Sequence, residues 1–98
     1  MAIEHYRHLW KNAFVNGGFT FWWPIIKNDS FVVVTAAEAS LSARVPDRFI
    51  GGAFVFVGNI AAHDGYVEFT LWSAGQFFEL NVWTDITVFD PDDPSGAN

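Results

Sequence analysis

The sequence predicts an all-β domain, either a small antiparallel sandwich or a closed barrel of six to seven strands. Three observations lead there. Apolar and polar residues alternate along 66–72 and again along 78–89. Short polar groups such as Lys27-Asn28-Asp29-Ser30 and His63-Asp64-Gly65 interrupt the chain at the spacing of turns. The runs between them are rich in β-branched and aromatic residues, which suit a pleated, half-buried surface.

Taken in order, residues 3–15 fit two patterns. Ile3, Tyr6, Trp10, Ala13 and Phe14 form a helical stripe, while Tyr6, His8, Trp10 and Phe14 suit one side of a strand. The strand is preferred, because Ala13-Phe14-Val15 and Phe19-Thr20-Phe21 flank Asn16-Gly17-Gly18 as hairpin arms would. Phe19 to Ile26 reads as a further strand. Pro24 has no N–H for a ladder, so this strand is expected at a sheet edge or beside a bulge. After the turn at 27–30, Phe31 to Ala37 reads as a strand buried on both sides. Glu38 to Val45 then alternates, with Ala39, Leu41, Ala43 and Val45 apart from Glu38, Ser40, Ser42 and Arg44.

Residues 51–89 read as two successive hairpins. Ala53 to Ile60 forms the first arm, the 63–65 turn offers a glycine for a positive φ, and Tyr66 begins the second arm. Gly58 inside a strand is expected to mark a bulge or a gap beside Thr70 and Trp72. Val67, Phe69 and Leu71 point to the core from one strand, and Phe78, Leu80, Val82, Ile86 and Val88 from the next. If Ser73-Ala74-Gly75-Gln76 closes a tight hairpin, Trp72 lies opposite Phe77, Thr70 opposite Glu79, Glu68 opposite Asn81 and Tyr66 opposite Trp83. The domain is expected to span 1–89, with 90–98 an acidic, proline-rich tail lacking an apolar anchor.

Composition narrows function. Five basic against eleven acidic residues give a formal charge of −6, without a Lys/Arg cluster for a phosphate backbone, so nucleic acid is not expected as a partner. The longest apolar runs fall far short of the roughly 20 residues of a spanning helix. Cysteine is absent, which removes thiolate chemistry and zinc–sulfur sites. A disulfide-free chain without a signal-like amino terminus fits the cytoplasm somewhat better than secretion, and a leader removed beforehand is compatible with it.

The hairpin expectation collects Tyr66, Glu68, Trp72, Glu79, Asn81, Trp83 and Asp85 on one side. Rings offer stacking surfaces for the apolar faces of sugars, and carboxylates and amides bind hydroxyls; the same set suits an organic cation. The competing reading packs these residues in a subunit interface. The leading expectation is a non-enzymatic binding module for a neutral or cationic small ligand such as a glycan, assembled as a homo-oligomer. The alternatives are a barrel enzyme with Glu68, Glu79 and Asp85 acting as acid and base in its lumen, and a purely structural assembly protein. No serine lies in a nucleophile elbow and no glycine loop suits phosphate, so no catalytic residue is assigned and no cofactor is expected. His5 and His8 would share a side only on a helix; a strand separates them, and no metal is expected.

Self-association follows from the apolar excess. Hydrophobic residues make up 51% of the 98 residues and aromatics 18%, while only roughly two-thirds of the unfolded surface of so small a domain is buried on folding. A symmetric dimer is the default, through an edge near Pro24 or a face centred on Trp22, Trp23 and Phe56.

Overall fold

In a computed structural model, which describes residues 2–40, 47–48, 54–74 and 79–90, the chain is all-β. The strands are β1 (Ala2–Ala13), β2 (Gly17–Trp22), β3 (Phe31–Ser40), β5 (Phe54–His63), β6 (Tyr66–Ala74) and β7 (Leu80–Asp90), with a two-residue bridge, β4 (Asp47–Arg48), against β3. They form two antiparallel sheets in the order β1-β7-β3-β4 and β2-β6-β5. The sheets do not close on each other, so the domain is an open β-sandwich rather than a barrel. The acidic segment 91–98 lies outside the described residues, and Asp90 pairs with Ala2 as the last residue of β7.

The inward rows follow the alternation in the sequence. Val67, Phe69 and Leu71 of β6 and Leu80, Val82, Ile86 and Val88 of β7 are buried, joined by Val32 and Val34 of β3, Val15 and Ile26. Phe78 falls outside the described residues. The neighbours differ from the expected ones, however. β6 and β7 belong to different sheets, and β1 and β2 do likewise, so neither pair is a hairpin. Two strands with apolar rows bury them equally well side by side or face to face across a core, and alternation alone does not choose between these arrangements.

At the end of β1 a local device sends the chain across the sandwich. Val15 drops into the core and Asn16 adopts a φ of 81°. Its backbone N–H donates to the Leu71 carbonyl at 2.6 Å, and its Oδ1 accepts from the Ser73 N–H at 2.9 Å. Asn16 thus starts the β2–β6 ladder instead of turning back along β1. β5 and β6 form a tight hairpin, where Gly65 takes a φ of 89° as expected. Its turn is clasped to the loop after β2: the Gly65 N–H donates to the Ile26 carbonyl, the Trp23 N–H to the Gly65 carbonyl, and the Asn28 N–H to Asp64 Oδ1 at 3.0 Å.

β2 ends before Pro24 and is an edge strand, in line with the missing proline donor. Residues 31–37 depart from expectation. Only Val32 and Val34 are buried, while Phe31 is 66% exposed and Thr35 is exposed on the opposite side. β3 continues unbroken to Ser40, which places Glu38 opposite Val82 in the inward row, and its Oε1 is shielded without a hydrogen-bond partner. The anticipated bulge occurs just after Gly58. Asn59, with a φ of 50°, and Ile60 together oppose Phe69, and Thr70 Oγ1 donates to the Gly58 carbonyl at 2.8 Å, filling the expected gap.

Side-chain size sets the spacing of the sheets. Along β3 and β5, where Val34, Ala36, Val55 and Val57 face inward, backbones approach within 8 Å. Along β1 and β2 the inward residues are rings: Tyr6, His8 and Trp10 interleave with Phe19, Phe21 and Trp23 at centroid separations of 5.1 Å for Trp10–Phe19, 5.5 Å for His8–Phe21 and 5.3 Å for Tyr6–Phe21. Thr84, fully buried in the inward row of β7, anchors this seam. Its hydroxyl accepts from Trp10 Nε1 at 2.9 Å and donates to the His8 carbonyl at 3.2 Å.

Thr84→Val keeps the shape but strands the indole N–H, and is expected to cost about 1–3 kcal/mol in urea unfolding. Thr84→Ser keeps the hydroxyl and should cost about 1 kcal/mol for the missing methyl. The seam should also respond to pH. Burial lowers the His8 pKa below 6.5, so the unfolded chain takes up this proton first as pH falls. The His8 contribution is therefore complete above 6.5, declines below it and levels off beneath the folded pKa. Urea midpoints from about pH 8 to about pH 5 should fall in that window, and His8→Phe should remove this part of the slope.

Candidate functional site

The topology divides the seven expected site residues between opposite outer surfaces. Tyr66, Glu68 and Trp72 lie on the outer face of the β2-β6-β5 sheet. Asn81, Trp83 and Asp85 lie in the outward row of β7, and Glu79 precedes that strand in an exposed position. The expected pairs Glu68–Asn81 and Tyr66–Trp83 do not form, because the core lies between them. Of the three carboxylates of the barrel alternative, Glu68 and Asp85 lie in outward rows of different sheets and Glu79 is exposed, so the described residues enclose no lumen around them.

On the β7 face the polar groups are already engaged with one another. His5 Nε2 lies 2.9 Å from Asp85 Oδ1, and Arg7 Nε donates to the same oxygen at 3.2 Å. The Arg7 guanidinium carbon stands 5.8 Å from the centre of the Trp83 ring. Asn81 Oδ1 accepts from the Asn12 N–H at 3.0 Å and holds the bulge at 11–12 of β1, where Asn12 has a φ of 51°. These residues fix β1 to β7. His5 lies in the outward row and His8 in the inward row, so strand geometry parts them. Among the described residues no cluster of three or more His, Asp or Glu side chains could hold a metal ion.

The β6 face carries a different pattern. The cross-strand register sets four successive rows: Trp22, Tyr66 and His63; Thr20, Glu68 and Ala61; Gly18, Thr70 and Gly58; then Trp72 and Phe56. Rings occupy the first and last rows. Tyr66 lies 4.6 Å from both Trp22 and His63, stacked on the latter at 20°, and Phe56 lies 5.5 Å from Trp72. Small and polar residues occupy the middle. Two glycines are used for space here: a Cβ on Gly18 would meet nothing within 4 Å, whereas one on Gly58 would meet Thr70 Oγ1 at 3.2 Å. An open depression of about 420 Å³ results, lined chiefly by Gly18, Thr20, Asn59, Glu68 and Thr70, with Phe19 and Phe69 at its base.

Two features of this surface are available to a ligand. Trp22 is 71% exposed and Trp72 52% exposed, at opposite ends of the depression. Glu68 Oε1 stands 2.8 Å from His63 Nε2, off the line of the ring N–H, so the two form a charge pair when the imidazole is protonated rather than a hydrogen bond. Its carboxylate therefore retains acceptor capacity towards solvent. The sequence pointed to Tyr66, Glu68 and Trp72. It missed Trp22, Thr20 and Gly18, which reach the same surface through β2. The alternation of Thr20 and Trp22 against Phe19 and Phe21 was the available signal, but it says nothing about which strand lies alongside.

Comparisons of the chain with protein-family models, with curated proteins and with solved structures find no match in any of the three.

Proposed function

We propose that the protein is a non-enzymatic binding module whose ligand is a neutral, short oligosaccharide held on the outer face of the β2-β6-β5 sheet. The observation that carries this reading is the depression between two exposed ring groups. Sugars present apolar C–H faces and a rim of hydroxyls. They are matched by flat rings flanked by fixed acceptors and hydroxyls, here Trp22 and Trp72 with Thr20, Asn59, Glu68 and Thr70 between them. A volume of about 420 Å³ falls within the range of small-ligand sites. The two ring rows are six residues apart along β6, about 20 Å, which suits a chain of several sugar units better than a single one. The formal charge of −6 disfavours anionic glycans.

The β6 face is favoured over the β7 face because Arg7 already covers Trp83 and Asp85 already binds His5 and Arg7. The test is a screen of neutral oligosaccharides by tryptophan fluorescence, with backbone amide shifts read by nuclear magnetic resonance. A binding sugar should move the amides of Gly18, Glu68 and Thr70. Trp72→Ala and Trp22→Ala should each weaken affinity at least about tenfold, about 1.4 kcal/mol, while Trp83→Ala leaves it unchanged. A ligand whose affinity falls with Trp83→Ala and not with Trp72→Ala would place binding on the other sheet and defeat this reading. So would a screen in which no oligosaccharide moves these amides.

A further inference from the structure

We infer that Asn16–Gly17 is a self-modification site: Asn16 loses its side-chain amide by deamidation when β2 opens, and the isoaspartate that forms detaches β2 from β6. The inference does not depend on the sugar reading, since it uses backbone chemistry at the start of β2 and not the depression.

The step needs only the chain and water. The backbone nitrogen of Gly17 attacks Cγ of Asn16 and gives its proton to hydroxide. The Cγ–Nδ2 bond breaks, the nitrogen leaves as ammonia with a proton from water, and a cyclic imide remains. One water then opens the ring at either carbonyl, giving aspartate or isoaspartate. A side chain on the following residue hinders ring closure, and glycine has none. The sequence holds six asparagines, and Asn16 is the one that precedes a glycine; the others precede Ala13, Asp29, Ile60 or Val82, or end the chain. The fold does not itself require glycine at 17. A Cβ there would meet nothing within 4 Å, and its φ is not positive. Asn16 and Gly17 are both exposed, so water and hydroxide reach them.

In the folded chain the two reacting groups are held on separate anchors of β6. Asn16 Oδ1 accepts from the Ser73 N–H at 2.9 Å, which fixes the side chain. The Asn16 N–H donates to the Leu71 carbonyl at 2.6 Å, and Gly17 opposes Leu71 as the first pair of the β2–β6 ladder. Ring closure needs the side chain and the 16–17 peptide unit to turn towards each other, and a misplacement of about 1 Å costs a reaction about a hundredfold. The hydrogen bond on Oδ1 also polarises the amide, but a polarised Cγ that the nitrogen does not reach does not react. β2 has six residues and pairs with β6 alone, so its local opening takes less free energy than global unfolding. The chemistry is slow beside reclosing, and its rate therefore follows the open fraction. Isoaspartate makes the opening permanent: it routes the main chain through Cβ and Cγ, adds one carbon before Gly17, and draws the acceptor of the Ser73 N–H into the backbone.

Mass spectrometry of the full chain, incubated at alkaline pH with and without unfolding urea, tests the inference. The mass gain of amide-to-acid conversion, located by fragmentation, should appear in urea at Asn16 before Asn12, Asn28, Asn59 or Asn81. The folded chain should convert at least about tenfold more slowly. Gly17→Ala has room for its methyl, so it should fold as the wild type does and slow conversion of the unfolded chain severalfold. After refolding, the isoaspartyl fraction should exchange the amide hydrogens of 17–22 faster than the wild type, with those of β7 unchanged. Asn16→Asp carries the same added charge on an unaltered backbone and should keep the protection of β2. Equal rates in the folded and unfolded chain overturn the inference. So does a different asparagine converting first, or an isoaspartyl fraction with wild-type protection in β2.

Discussion

The wedge of rings between β1 and β2 is the constraint on which the sandwich depends. Sheets that face each other with ordinary aliphatic rows settle about 10 Å apart. Here alanine and valine let β3 and β5 approach within 8 Å, while Trp10, Phe19, Phe21 and Trp23 prop the opposite edge. A wedge of bulky rings is costly if it leaves polar ring atoms buried and unpaired, and Trp10 has such an atom. Thr84 resolves this with a single hydroxyl, which accepts from the indole and donates to a β1 carbonyl. The polar residue set between Val82 and Ile86 in the inward row of β7 therefore sits beside the ring that needs it.

Asparagine does the bending that glycine performs elsewhere. Asn12, Asn16 and Asn59 all take φ between 50° and 81°, a region in which asparagine is tolerated better than most side chains. Each occurs where the chain leaves a regular ladder: the β1 bulge, the crossing between sheets and the β5 bulge. Asn16 adds a second contribution, because its side chain takes over an N–H that the ladder would otherwise leave free. The depression on the β6 face follows from these choices. The bulge at 59–60 moves the end of β5, and the glycine at 18 leaves the neighbouring row without a side chain.

The inward rows and the turns were legible in the sequence because they are local properties. Val67, Phe69 and Leu71 alternate whatever their neighbours are, Gly65 marks a turn by itself, and Pro24 rules out a central strand. Strand neighbours are not local. The pairing of β6 with β2 instead of β7 depends on Val15 entering the core and Asn16 turning there, and nothing in residues 66–89 encodes it. That one difference divides the expected site, sending Trp83 and Asp85 to the opposite surface and bringing in Trp22 and Thr20. Thr84 was hidden for a related reason, since an inward threonine looks like a break in the pattern until its partner Trp10 is in place across β1.

The two outer faces of the sandwich have diverged because their polar groups meet different partners. On the β7 face, Arg7 and His5 stand beside Asp85 across the β1–β7 register, and the charges neutralise one another on the spot, with the small stabilisation typical of exposed pairs. On the β6 face, the residues beside Glu68 are Thr20 and Ala61, with no arginine or lysine in the same rows; His63 of the next row stands 2.8 Å from the carboxylate, which is nevertheless 54% exposed, and the Thr70 hydroxyl is held by the Gly58 carbonyl. Burial of apolar surface cannot explain that arrangement, since Trp22 and Trp72 remain open beside it. Exposed rings contribute little to folding, and the grouping of Trp22 and Trp72 around an exposed carboxylate on one face of one sheet is what sets that face apart from the β7 face.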